Sequence, residues 1–77
     1  MDVRRQLGLN VQRLRREKGW SQEKLAFESG LHRTYVSGIE RGVRNPTITI
    51  VAKLAKTFKV PNSALLETVR KTRSDEG

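Results

Sequence analysis

The sequence predicts an all-α domain of five helices, and three observations point to it. Apolar residues recur three and four apart, as in Leu7, Val11 and Leu14, or Val51, Leu54, Ala55 and Phe58. No segment keeps the period-two alternation of a half-buried strand; the β-branched run 47–51 comes nearest, but its apolar spacing continues at helical intervals to Phe58. Gly19, Gly30, Gly42 and Pro61 punctuate the chain where these stripes stop. At 77 residues the chain closes one modest core and no more.

The first helix is expected from about Val3 to Lys18. Its stripe is Leu7, Val11 and Leu14, with Gly19 at the C′ position and Trp20 folding back over the stripe. Ser21 is a good N-cap for a second helix reaching about Ser29, with Leu25, Ala26 and Phe27 turned inward. After a turn at Gly30 and Leu31, a third helix covers about His32 to Arg41 and stops at Gly42. Val36 and Ile39 face inward, and Tyr35 lies on the flank. Thr47 or Asn45 caps a fourth helix reaching about Lys59, with Ile48, Val51, Leu54, Ala55 and Phe58 buried and Ile50 beside that stripe. Pro61 breaks it, and a fifth helix starts near Asn62 with Leu65, Leu66 and Val69 on one side. Those three side chains either close the core or form a surface for a second copy. Residues 1–70 make the domain on this reading, and 71–77 a flexible polar tail.

Composition narrows the partners. Sixteen Lys and Arg against eight Asp and Glu give a net charge of +8 and a pI near 10.9. Such a balance favours a polyanion, although charge alone does not separate nucleic acid from an acidic membrane surface. The distribution says more: residues 1–20 sum to +4 and residues 41–60 to +5, whereas residues 21–40 sum to −1. Cysteine is absent, which excludes disulfides and thiolate zinc sites, and the one histidine builds no metal site by itself. No apolar run approaches the ~20 residues of a membrane span, and no secretory leader is recognisable. A reducing cytoplasm is the expected setting. There is no nucleophile–base pair, carboxylate cluster or glycine-rich phosphate loop, so an enzyme is not expected, nor a cofactor or small-molecule ligand.

The stretch Trp20 to Asn45, WSQEKLAFESGLHRTYVSGIERGVRN, carries the decisive pattern. Ala26 lets two helices cross closely, and Gly30 supplies a positive φ to the tight turn. Val36 and Ile39 anchor the second helix of the pair to the core. This is the spacing of a helix-turn-helix, whose second helix serves to enter the DNA major groove. The basic segments flank that helix, where phosphate backbone would lie.

Through SQEKLA, RTYVSGIERG and RN, the chain resembles the phage-repressor-like (Cro/CI, xenobiotic-response-element type) helix-turn-helix domains over about residues 4–69. Within them it looks most like short stand-alone regulators such as restriction–modification controller proteins. The resemblance implies a lambda-repressor-like fold with the motif in helices 2 and 3. It also implies a symmetric homodimer on a palindromic double-stranded DNA operator, and autoregulation. By position, Arg33, Thr34 and Ser37 fall where side chains meet base edges. Gln22, Arg41, Arg44 and Asn45 fall at phosphates; apart from the resemblance, the Tyr35 hydroxyl and the charges of Lys53 and Lys56 make them further phosphate candidates. Arg15 and Glu40 match a buried ion pair tying helix 1 to the end of helix 3.

Chemistry supports these assignments unevenly. Arg33 has the fork that donates two parallel bonds to guanine O6 and N7. Thr34 offers a methyl to thymine or a hydroxyl to base or phosphate, or assists the helix start. Tyr35 either reaches a phosphate or packs. His32 stands where a better N-cap is common. Gly38 stands where some members of the family it resembles carry a longer base-reading side chain, which should narrow the reading surface, and a close approach of backbone would explain a glycine inside a helix. A protein-interaction module, such as an antitoxin or adaptor subunit, is the competing function. An apolar patch on helices 4 and 5, with Ile50 suspected, would favour it.

Overall fold

The computed structural model describes residues 2–68. Over these, the chain folds into four α-helices and one 3₁₀ turn: α1 (Val3–Glu17), α2 (Gln22–Ser29), α3 (Arg33–Glu40), α4 (Ile48–Phe58), then Asn62–Leu65 in 3₁₀ form. Short polar side chains start three of the helices. The Asp2 carboxylate accepts from the Arg4 amide at 2.8 Å, the Ser21 hydroxyl from the Lys24 amide at 3.0 Å, and the Thr47 hydroxyl from the Ile50 amide at 3.3 Å. His32 gives α3 no side-chain cap. Each α-helix ends with a residue in the left-handed region whose successor's amide reaches back to the last turn. Trp20 bonds the Arg15 carbonyl, Leu31 that of Ala26, Val43 that of Gly38, and Val60 that of Ala55. Glycine supplies that residue at 19, 30 and 42, but at the end of α4 it is Lys59, at φ 60°.

The core gathers Leu7, Val11 and Leu14 of α1, Leu25 and Ala26 of α2, Val36 and Ile39 of α3, Leu54, Ala55 and Phe58 of α4, and Leu65. Trp20 covers one margin, its ring stacked on Phe58 at 6.0 Å between centroids. α1 and α3 pass very closely at Gly8: a β-carbon there would stand 2.7 Å from the Glu40 carbonyl oxygen and closer still to that of Ile39.

The structure departs from the sequence expectations in four places. Phe27 is 81% exposed, because the inward face of α2 is made by Leu25, Ala26 and Ser29. Ile48 is 83% exposed, standing in the first turn of α4 before the helix reaches the core, and Val51 is only half-buried. Ile50, placed beside the stripe, is half-buried and packs on the core.

The fourth departure is the fifth helix, which among the described residues is a single 3₁₀ turn. Two amide side chains of α1 hold the carbonyls at and after this turn. Asn10 donates to Leu65 and Glu67, both at 2.9 Å, and Gln6 donates to Leu66 at 2.6 Å. Val69 and the tail 71–77 lie outside the described residues.

Candidate nucleic-acid interface

The crossing of α2 and α3 rests on a few local devices. Gly30 adopts φ 75° and ψ 18°, and its amide and that of Leu31 reach back to the carbonyls of Phe27 and Ala26. Ala26 is buried where the helices meet, and Leu31 leans on the core. The first turn of α3 is thereby projected outward. Arg33 and Thr34 are exposed; Ser37, one turn further along the same face, is half-buried, as is Tyr35 on the flank. The apolar positions Val36 and Ile39 hold the opposite face in the core, each 1% exposed or less.

Arg15 and Glu40 meet as a two-pronged pair. Arg15 Nε and Nη2 donate to the two carboxylate oxygens at 2.6 and 3.0 Å, and Nη1 donates to the Trp20 carbonyl at 2.8 Å. The side chains are 12% and 2% exposed, so the pair sits largely out of water. The hydrogen bonds that it donates to Glu40 raise the affinity of the Arg15 guanidinium for its proton, against the opposing effect of burial. Gln12 adds a bond from its amide to the Glu40 backbone carbonyl at 3.2 Å. Together these lock the end of α3 to α1.

Gln22 belongs to this node rather than to open surface. Its amide nitrogen donates to Glu40 Oε1 at 3.0 Å, because a buried carboxylate within reach is the strongest acceptor available to it. Of the residues expected at phosphates, Arg41, Arg44 and Asn45 are exposed on the segment after α3. Asp2, Glu17, Glu28 and Glu40 are taken by Arg4, Arg13, Lys24 and Arg15 respectively. Arg33, Arg41, Arg44, Lys53 and Lys56 form no ion pair with an acid among the described residues.

Gly38 has a different reason from the close backbone approach expected. Its missing β-carbon makes room for a side chain: Arg44 Cγ would lie 2.6 Å from that atom. The Arg44 guanidinium continues to the Tyr35 ring, 5.5 Å from its centroid. Of the expected dimer surface, Leu65 is fully buried within the single chain and is unavailable to a partner, whereas Leu66 is 45% exposed.

Sequence reasoning missed Gly8, Gln6 and Asn10. An asparagine in register with Leu7 and Leu14 on an apolar helix face, and a glycine beside Leu7, were the signals that could have found two of them. Among the described residues there is no enclosed pocket, no cluster of metal-ligating side chains, and no helix long and apolar enough to cross a membrane.

Two short helices locked through a left-handed glycine, the second anchored below and exposed above, define a helix-turn-helix domain. The chain belongs to the helix-turn-helix family HTH_3, whose model matches residues 11–61. It is 45% identical to control protein C.BamHI of Bacillus amyloliquefaciens, over 86% of this chain and 83% of that one. The hypothetical transcription factor NHTF from Neisseria superposes with a TM-score of 0.84 at 42% identity, covering 87% of this chain and 77% of the other. The restriction–modification controller protein C.Esp1396I, solved as a tetramer with its natural 35-base-pair operator, has a TM-score of 0.76 at 37% identity, covering 84% and 86%.

Proposed function

We propose that this protein is a dimeric, sequence-specific transcriptional regulator that binds double-stranded DNA with α3 in the major groove. The observation that carries the reading is the first turn of α3, where Arg33 and Thr34 stand exposed and Arg33 has no acidic partner among the described residues. Arg33 donates its fork to a guanine, Thr34 and Ser37 meet the neighbouring base edges, and Arg41, Asn45 and the Tyr35 hydroxyl hold phosphate. Gln22 reaches a phosphate only through the amide hydrogen that Glu40 does not hold. Two copies acting on half-sites about one helical turn (~34 Å) apart supply the affinity that one small domain lacks. Leu66 lies on the surface through which they meet.

The finer role is that of a cytoplasmic controller protein regulating its own gene, supported by the likeness to C.BamHI and C.Esp1396I. The test is a fluorescence-anisotropy titration of a duplex taken from upstream of the gene, with a scrambled duplex and Arg33→Ala protein as controls. Tight binding lost in both controls is expected. Equal binding to both duplexes, unaffected by Arg33→Ala, would reduce the reading to backbone attraction, and no binding at all would favour a protein-interaction role.

A further inference from the structure

Arg44 is an unusual cation in this chain because it has a built seat. The α3 C-terminus turns on Gly42 at φ 77°, and the Val43 amide bonds back to the Gly38 carbonyl at 3.0 Å. That reversal sends Arg44 back along the helix it has just left. Its aliphatic stem crosses the gap at Gly38, where a β-carbon would stand 2.6 Å from Cγ and 3.2 Å from Nε. Its guanidinium ends over the half-buried Tyr35 ring, one turn nearer the helix start. Position 38 follows Thr34 by four residues and so shares its face. Arg44 remains exposed, donates to no protein acceptor and pairs with no acid among the described residues.

We propose that Arg44, folded back along α3 through the space left by Gly38, reads base edges beside Arg33 and Thr34. Gly38 is then a specificity determinant that itself touches no base. The proposal rests on the DNA-binding reading above and changes one assignment in it, since Arg44 was expected at a phosphate. A phosphate needs only a nearby positive charge, which a freely moving side chain supplies. A planar fork seated against a helix and an aromatic ring has already lost the rotamer freedom that a two-bond base contact requires. The seat also accounts for a helical glycine with no backbone pressed against it.

A pool of duplexes with a randomised core, enriched for binding by the wild-type protein and then by Arg44→Ala, Arg44→Lys and Gly38→Ala, tests this. The enriched site is then titrated base pair by base pair at several salt concentrations. All three variants should lose discrimination at the same base pair, by about 5- to 150-fold for the alanine change at Arg44, while keeping the preference set by Arg33. Gly38→Ala combined with Arg44→Ala should be no worse than Arg44→Ala alone. Uniform weakening on every duplex, with the salt slope reduced by ~0.9, would make Arg44 a phosphate contact and overturn the inference. So would a Gly38→Ala protein enriching the wild-type site unchanged. A wild-type protein that enriches nothing would refute the DNA-binding reading itself.

Discussion

Replacing Gly8 by alanine should lower the melting temperature, even though alanine is the better helix former. The new β-carbon would stand 2.7 Å from the Glu40 carbonyl oxygen, where ordinary contact begins at 3.4 Å, and would press harder on the Ile39 carbonyl. Neither oxygen can swing aside as a side chain does. The end of α3 is held through Glu40 by Arg15 and through its carbonyl by Gln12, so α1 and α3 must part by more than half an ångström. Overpacking of this kind costs about 1–3 kcal/mol, and the helix preference of alanine over glycine returns about 1 kcal/mol. Because both obstructing atoms are backbone, the cost falls in the upper part of that range, about 2–3 kcal/mol, and the net loss of about 1–2 kcal/mol corresponds to a fall of roughly 5–15 °C for a domain this small. Gly38→Ala is the internal control. The atom it meets is Cγ of the flexible Arg44 side chain, which can leave its seat, so the same helix gain offsets a lost cation–π contact of about 0.5–1 kcal/mol. Its melting temperature should stay near that of the wild type. Thermal unfolding followed by far-ultraviolet circular dichroism compares the three proteins directly. A Gly8→Ala protein that melts as high as the wild type would show the α1–α3 crossing to be compliant and the reasoning wrong.

Other substitutions probe other links. Glu40→Leu should destabilise by about 3–5 kcal/mol by stranding the buried Arg15 charge, whereas the same change combined with Arg15→Met should cost much less. Urea unfolding of the double-mutant cycle decides, and a single-variant loss below about 1 kcal/mol would rule the buried pair out as the lock. Lys59→Gly should stabilise by about 0.5–1 kcal/mol, since lysine holds the left-handed conformation at φ 60° that glycine adopts freely; an unchanged midpoint would count against it. The Asp2 carboxyl is held below its ordinary value, first by the Arg4 side-chain hydrogen bond and then by the Arg4 amide. Its folded value lies below its unfolded one, so the cap is fully stabilising above the unfolded value and is lost as pH falls through the folded one. Amide-exchange protection in the first turn of α1 should decline on acidification in the wild type but not in Asp2→Asn; parallel declines would sink the idea.

The helices and their ends were legible in the residues because caps, turns and apolar periods act over a few positions. Ser21 and Thr47 cap as their chemistry requires, Gly30 makes its turn, and Val36 with Ile39 anchors α3. The exposed edge carrying Arg33 and Thr34 follows from that same local pattern.

What the sequence by itself determined is therefore the first four helices, the motif that two of them form and the face of α3 left to solvent. Tertiary structure alone decided which neighbours each residue meets. Leu65 became core with its carbonyl held by Asn10, 55 positions away, and among the described residues the expected fifth helix is a 3₁₀ turn. Phe27 and Ile48 were left outside because no other element among the described residues covers them, and Gln22 turned inward because Glu40 lies within reach. Gly38 acquired its purpose when the chain reversal at Gly42 laid Arg44 across it. Local preference fixes dihedral angles over a turn or two, whereas burial and partnership depend on segments that only the folded chain brings together.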